Sequence, residues 1–297
     1  FMNRTAPRVE TREPNFVAPD LSDRVVVKVR DSRGAHFPCA AVTASLGQRT
    51  QTFPVGTNGV LYLFPTLDGF GAGSLSLTAV PPGGCSGECV VATGNTGSDG
   101  GEVNLVIEGA IGQLPTALDV VFVVDATGSM GDEISYLSTE LTSVMGRVQE
   151  AISGVDIRVG LSVYRDPGET LSYGLSNSIP ERADDLRKQR TSGGTEAMIE
   201  SLDAALQMDW RAGNTARVIF VVTDEPPQSR TYARTVQAAQ TARSMGIRMM
   251  GLAASGADTT AEYLLRLFAA ITGGRHLFLT DDSGIGNPHG EPAIQCY

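Results

Sequence analysis

The sequence predicts an α/β protein in which a doubly wound, mostly parallel sheet follows a smaller all-β sandwich. Short β-rich segments separated by turn residues fill the first part of the chain, and apolar strands alternate with amphipathic helices in the remainder. Strands without intervening helices are typical of a sandwich, whereas strand–helix alternation is typical of a parallel sheet covered on both faces. The pattern changes at Leu114 to Leu118, and we place the domain boundary there.

Two segments precede this boundary. Residues 1–20 hold three prolines and show no periodicity, which predicts an extended leader. Residues 21–113 contain the runs RVVVKVR, CAAVTASL, VLYLF, SLSLTAV, ECVVAT and EVNLVIEG, each bounded by turn-forming residues, and we predict a β-sandwich. The order VVVKVRDSRG, AAVTASL and GTNGVLYLFP resembles the immunoglobulin-like or transthyretin-like modules of secreted bacterial proteins.

Residues 117–281 are predicted to form the α/β domain. Its strands are VVFVV (120–124), IRVGLSVY (157–164), VIFVV (218–222), IRMMGLAA (247–254) and HLFL (276–279), with an edge strand near 170–175. The first helix carries apolar residues at spacings of three and four: Ile134, Leu137, Leu141, Val144, Met145, Val148 and Ile152. Residues 282–297 have no such stripe, and we expect a tail that packs back on the first domain.

The charge balance and hydropathy exclude two classes of partner. The chain has 23 basic and 33 acidic residues, a formal net charge of −10, which repels phosphate backbones and anionic membrane surfaces. No apolar run approaches the roughly 20 residues that a membrane-spanning helix needs. We therefore expect neither nucleic-acid binding nor direct membrane insertion of this segment.

Four cysteines, an even number, indicate the redox compartment: Cys39, Cys85, Cys89 and Cys296. The loop CSGEC has no histidine and no second close pair, which favours a disulfide over a zinc site. If Cys85 pairs with Cys89, a bond between Cys39 and Cys296 would tie the tail to the first domain. Disulfides indicate an exported protein, so we expect an extracellular, cell-surface or periplasmic location.

Three loops of the predicted α/β domain carry candidate metal ligands. Asp125, Thr127 and Ser129 lie between an apolar strand and a long helix in VVFVVDATGSM, and Asp224 follows a second apolar strand in VIFVVTDEPP. Ligands of open α/β sheets bind at the carboxyl ends of such strands. In TSGGTEAM, two glycines allow the backbone to come close and place the Thr195 hydroxyl at the same edge. Carboxylates and hydroxyls are hard oxygen ligands, which suit magnesium, manganese or calcium.

Asp125, Thr127 and Ser129 match the D-x-S/T-x-S motif of the metal-ion-dependent adhesion site in von Willebrand factor A and integrin I domains. Thr195 in GGT and Asp224 in VVTD match the residues that later loops supply in that family. The resemblance implies direct coordination by the first two hydroxyls, direct or water-mediated coordination by the aspartates, and a threonine that joins in some conformational states. It also implies a protein or cell-surface ligand with an exposed carboxylate. DATGSMGDEI with YRD, MDWRAG and VVTDEPP is similar to secreted bacterial members.

Some of these residues have a second interpretation. DATGSM also fits an ordinary helix start, in which a hydroxyl caps the helix and an aspartate favours its positive end. Asp132 and Glu133 fall where integrin β subunits place acidic residues of an adjacent ion site, but we prefer the explanation that they are acidic residues on a first helical turn.

Three functions remain open. The first is an exported metal-dependent adhesion or recognition module, with magnesium as the expected ion and manganese or calcium as alternatives. The second is a cell-envelope assembly or scaffold protein that uses the same chemistry. The third is a metal-dependent hydrolase, which needs a positioned general base, and the motif loops offer only Glu196 and Glu225 for that role. We therefore expect no enzymatic activity.

Overall fold

The computed structural model describes residues 17–85, 87, 89–97, 101–152, 154–254 and 256–279. Within these ranges, thirteen strands form three sheets and five α-helices pack on the largest sheet. Most of the predicted leader and the whole of the predicted tail, 282–297, lie outside the described residues, and so does Cys296.

The N-terminal part of the described chain is all-β, as predicted. Its strands are β1 (Val25–Asp31), β2 (Ala41–Leu46), β3 (Arg49–Pro54), β4 (Val60–Leu63), β5 (Ser76–Val80), β6 (Ala92–Asn95) and β7 (Gly101–Ile107). They form one sheet in the order β4-β1-β7 and another in the order β3-β2-β5-β6. Every second residue of β1 is buried, beginning with Val25, because side chains alternate across a strand. The inward-facing residues of both sheets share one apolar core.

Strand β3 is not predicted by the sequence analysis. Its sequence, RTQTFP, has one aromatic core residue, Phe53, among polar and exposed positions. Among the described strands it pairs with β2 alone, and it therefore lies at the edge of its sheet. An edge strand with one buried side chain lacks the apolar alternation on which sequence recognition depends.

The remaining part of the chain is α/β, which confirms the predicted fold class. Its strands are β8 (Ala117–Asp125), β9 (Asp156–Tyr164), β10 (Leu171–Ser176), β11 (Thr215–Thr223), β12 (Ile247–Ala253) and β13 (His276–Phe278). The sheet order is β10-β9-β8-β11-β12-β13, and β10 is its antiparallel strand. Parallel neighbours bring the carboxyl ends of β8, β9 and β11 to one edge.

Helices cover both faces of this sheet: α1 (Gly131–Ala151), α2 (Ile179–Arg187), α3 (Met198–Leu206), α4 (Tyr232–Ser244) and α5 (Thr259–Thr272). The predicted stripe of α1 buries Ile134, Leu137, Leu141 and Met145. Val144 and Ile152 are each 40% exposed, because one lies beside the stripe and the other follows the last helical residue. No helix in the described ranges is long and apolar enough to cross a membrane.

The β part contacts the α/β part through the end of α4. The Arg243 guanidinium pairs with the Asp68 carboxylate, and both side chains are buried. The same guanidinium lies over two aromatic rings of the β part, with centroid distances of 5.1 Å to Phe53 and 5.3 Å to Phe64. One turn earlier, the Gln240 amide donates to the Leu67 carbonyl at 2.7 Å.

The cysteines agree in part with the prediction. Cys85 and Cys89 form a disulfide. Among the described residues Cys39 has no disulfide partner, and its Sγ lies 3.8 Å from the Thr215 carbonyl oxygen. Because Cys296 is outside the described ranges, the bond between Cys39 and Cys296 remains a prediction.

Candidate metal centre

The first motif follows β8 directly and is held by its own hydrogen bonds. Asp125, the last residue of β8, is fully buried. Its Oδ1 accepts the Thr127 backbone N–H and the Thr127 hydroxyl, both at 2.8 Å. Since the Thr127 hydroxyl proton is committed to Asp125, the lone pairs of that hydroxyl oxygen remain available to a cation.

The second carboxylate, Asp224, follows β11 directly and is buried close to the first. Burial raises the pKa of Asp224, a hydrogen bond from the Ser129 hydroxyl opposes the rise, and the charge of Asp125 adds to it. Its Oδ1 atom is buried and has no hydrogen-bond partner among the described residues. Two of the predicted ligands therefore lie beside these carboxylates: Thr127 contacts Asp125, and Ser129 contacts Asp224.

The loop before α3 is tied to this edge by backbone hydrogen bonds. Ser192 donates its N–H to the Ala126 carbonyl at 3.1 Å, and Gly128 donates to the Gly193 carbonyl at 3.3 Å. These bonds join the loop to the residues that follow β8. The loop therefore lies beside the first motif.

Within this loop, the predicted ligand Thr195 contacts Asp166 rather than Asp125 or Asp224. The Asp166 Oδ1 accepts the N–H groups of Gly194 at 3.0 Å and Thr195 at 2.7 Å. These two bonds and a contact with the Thr195 hydroxyl hold the pKa of Asp166 below its usual value. Thr195 is exposed, and coordination by its hydroxyl remains a prediction.

The residue of this loop that lies beside Asp125 is Glu196, which the sequence suggests only as a candidate general base. Its carboxyl group lies beside Asp125 and Thr127. The residue is 9% exposed, and its Oε2 atom has no hydrogen-bond partner among the described residues. Burial, followed by the charge of Asp125, raises the pKa of Glu196 to about 9. The sequence signal is an acidic residue directly after GGT at a helix start, but its direction depends on the fold of the loop.

These side chains line an open cleft of about 360 Å³ at the carboxyl edge of the sheet. Its lining includes Thr127, Ser129, Glu196 and Glu225. Burial first, and then the charge of Asp224, raises the pKa of Glu225. Burial first, and then the charges of neighbouring carboxylates, raise the pKa values of Glu196, Asp224 and Glu225, and a bound cation would offset both effects.

The donor set fits a hard divalent cation only if hydroxyls take part. In the described part of the chain, no three histidine, cysteine, aspartate or glutamate side chains are arranged to hold a metal ion by themselves. Carboxylate and hydroxyl oxygens together suit magnesium, manganese or calcium better than zinc or copper. The unpartnered Oδ1 of Asp224 is a further donor atom that such an ion would satisfy.

The candidate second ion site has less support. Glu133 is buried on the first turn of α1, at 2% exposure. The backbone of Asp132 belongs to the same turn, but its side chain is outside the described residues. A site formed by these two residues remains a prediction.

A sequence model of the von Willebrand factor type A domain matches residues 119–287, which is more than half of the chain. The protein therefore belongs to the von Willebrand factor type A domain family.

Curated relatives match a shorter stretch. The alpha-protein kinase vwkA of Dictyostelium discoideum is 26% identical over 122 residues, and a putative ariadne-like RING finger protein of Acanthamoeba polyphaga mimivirus is 31% identical over 121 residues. Each match covers 39% of this chain but only 19% and 12% of the respective relatives.

Solved structures with a similar fold come from varied sources. The open conformation of the pilus adhesin SpaC from Lactobacillus rhamnosus GG has a TM-score of 0.46 and 16% identity, covering 83% of this chain and 32% of the adhesin. Proximal thread matrix protein 1 from the mussel byssus, with a zinc-occupied MIDAS motif, has a TM-score of 0.44 and 16% identity, with coverages of 57% and 43%. BatB from Bacteroides thetaiotaomicron has a TM-score of 0.43 and 16% identity, with coverages of 56% and 93%.

Proposed function

We propose that the protein is an exported, metal-dependent adhesion module. In this proposal a divalent cation, bound by Asp125, Thr127, Ser129, Thr195 and Asp224, captures a carboxylate of a protein or cell-surface partner. The observation that carries the proposal is the buried Oδ1 of Asp224, which has no hydrogen-bond partner among the described residues. A buried carboxylate oxygen without a donor is costly, and a bound cation would offset that cost.

The donor set supports the second half of the proposal. The Thr127 hydroxyl donates to Asp125 and the Ser129 hydroxyl donates to Asp224, so both hydroxyl oxygens can face a cation as neutral ligands. Neutral ligands leave a divalent cation with residual positive charge. When bound, magnesium, or alternatively manganese or calcium, would supply an electropositive coordination position for a carboxylate of the partner.

Thr195 and Glu196 are alternative metal ligands from the loop before α3. The motif resemblance supports Thr195 as a ligand, whereas the contact with Asp125 supports Glu196. Separate Thr195→Ala and Glu196→Gln variants distinguish them in a metal titration. The variant that loses more affinity identifies the residue that the ion uses.

Calorimetric titration of magnesium, manganese and calcium into chelator-stripped protein tests the proposed centre. We expect Asp224→Asn to abolish measurable binding and Ser129→Ala to weaken it. Ser143→Ala is the matched control, because Ser143 is exposed on α1, more than three helical turns beyond the motif. A folded wild-type protein that binds none of the three ions would refute the metal-dependent function.

The remaining parts of the proposal concern location and architecture. We propose that residues 21–113 form an immunoglobulin-like or transthyretin-like module, that 117–281 form the metal-binding domain, and that the protein resembles secreted bacterial members. The disulfide between Cys85 and Cys89 supports export. Limited proteolysis should cut between residues 113 and 117 if these boundaries hold.

A pull-down experiment separates adhesion from assembly. Capture of partners from foreign cells supports adhesion, and capture from the producer's own envelope supports assembly.

A metal-dependent hydrolase is the second candidate, because Glu196 carries a raised pKa beside Asp125 and could exchange protons with a bound substrate. Assays with p-nitrophenyl phosphate and p-nitrophenyl acetate test it. Turnover that requires a divalent cation and disappears in Glu196→Gln would favour the hydrolase. Binding of a cation without turnover would favour the adhesion module.

A further inference from the structure

Thr223 is a fully buried residue at the end of β11, directly before Asp224. Its hydroxyl oxygen lies 2.9 Å from the Asp125 Oδ2 and 2.8 Å from the Glu225 carbonyl oxygen. Both neighbours are acceptors, so the single hydroxyl proton of Thr223 lies between the Asp125 carboxylate and the turn that carries the second candidate carboxylate. This contact joins residues that are 98 positions apart in the sequence.

The contact with Thr223 completes the fixation of Asp125. The Oδ1 atom of Asp125 accepts two hydrogen bonds from Thr127, and the Oδ2 atom accepts the Thr223 hydroxyl. With donors on both oxygens, the carboxylate cannot rotate without losing a hydrogen bond in a fully buried site. The orientation of Asp125 is thus set in part by Thr223, which does not line the cleft.

We infer that Thr223 is a positioning residue of the metal centre, which it serves by donating its hydroxyl proton to the Asp125 carboxylate and so fixing its orientation. The inference rests on the proposed metal-binding function. Partners of this kind fix the orientation of ligating groups, and their loss weakens metal affinity by about 10- to 100-fold.

Three variants of the full chain separate positioning from general stability. Thr223→Val replaces the hydroxyl with a methyl group and keeps the branched shape. Thr223→Ser keeps the hydroxyl and removes the methyl group, and Thr223→Ala removes both. The matched control is Thr235→Val. Thr235 is also fully buried, and its hydroxyl donates to the Thr231 carbonyl at 3.1 Å within its own helical segment.

Calorimetric titration with manganese alone gives the affinity, and circular dichroism with thermal unfolding in chelator verifies that each variant is folded. We expect Thr223→Val to bind manganese about 10- to 100-fold more weakly than the wild type. Thr223→Ser and Thr235→Val should bind within about threefold of the wild type. If Thr223→Val does not fold, Thr223→Ala takes its place with the same expectation.

Several results would overturn the inference. One is wild-type affinity in a folded Thr223→Val or Thr223→Ala variant, and another is an equal loss in Thr235→Val. Failure of Thr223→Ser to restore affinity would likewise assign Thr223 a purely structural role. Absence of manganese binding by the wild type would instead refute the proposed function, so the two failures can be told apart.

Discussion

Replacement of Arg243 by alanine is expected to lower the free energy of unfolding by about 3–5 kcal/mol, the usual cost of leaving one partner of a buried ion pair alone. The side chains of Arg243 and Asp68 are 4% and 2% exposed. Burial lowers the pKa of Arg243 to about 10, so the guanidinium is still charged at neutral pH. Without it, Asp68 keeps the Phe64 N–H, at 3.0 Å, but loses its counter-charge.

A second ion pair on the same helix provides the control. Arg234 and Asp203 are 59% and 43% exposed, and exposed pairs contribute about 0–1 kcal/mol. Arg234→Ala removes the same number of atoms from α4 as Arg243→Ala. The difference between the two variants therefore isolates burial and the contact with the β part.

Equilibrium urea unfolding of both variants, followed by circular dichroism and tryptophan fluorescence, measures the difference. We expect Arg243→Ala to be at least about 2 kcal/mol less stable than Arg234→Ala. The double variant Arg243→Met with Asp68→Leu should recover part of the loss, because an apolar pair leaves no buried charge but removes the acceptor of the buried Phe64 N–H. Equal stabilities of Arg243→Ala and Arg234→Ala would show that the buried pair does not join the two parts.

In chelator, the free energy of unfolding of the wild type should fall as pH rises from about 4.5 toward 9, by at most about 3 kcal/mol at pH 7. The cause is that folded Glu196 retains a proton that the unfolded chain releases. Glu196→Gln should flatten this pH dependence in urea unfolding. Burial lowers the pKa of His276 to about 4, so stability should fall as pH decreases below 6.5, by at most about 2 kcal/mol at pH 5, and His276→Gln should remove that loss. Gly193→Ala should lower the free energy of unfolding by about 1–3 kcal/mol, since Gly193 has φ 79° and an added Cβ would lie 2.7 Å from the Asp166 carboxyl group. Gly194 has open space around it, so Gly194→Ala should be near neutral. Thermal unfolding of both variants measures the difference.

Sequence patterns predict the α/β part well because its strands are continuous apolar runs. A strand buried on both faces reads as such a run, and Asp125 and Asp224 appear at the points where two of them end. Parallel neighbours then bring both carboxylates to one edge without any knowledge of side-chain contacts. The same reasoning fails for β3, where Phe53 is the core residue of a polar edge strand.

Contacts that depend on loop shape or on packing between distant segments are not visible in the sequence. The position of Glu196 at Asp125 follows from how the loop before α3 folds, and Asp166 holds that loop from the end of β9. Arg243 belongs to a helix whose sequence gives no sign of a buried charge. Its environment comes from Phe53 and other residues of the β part, far away along the chain.

The contacts between the β part and the α/β part and the contacts of the candidate metal centre lie at opposite ends of the parallel strands. The β part contacts the start of β11, where Cys39 Sγ is 3.8 Å from the Thr215 carbonyl oxygen, whereas Thr223 at its end holds the candidate metal centre. Eight residue steps at about 3.3 Å separate these ends by about 26 Å. Arg243 lies near the start of β11, where Arg217 donates to the Met245 carbonyl at 3.1 Å. Effects on stability at sites so far apart usually add. The double variant Thr223→Val with Arg243→Ala should therefore lower the free energy of unfolding by the sum of the two single-variant losses. A clear departure from that sum would show that the β part and the metal centre are coupled.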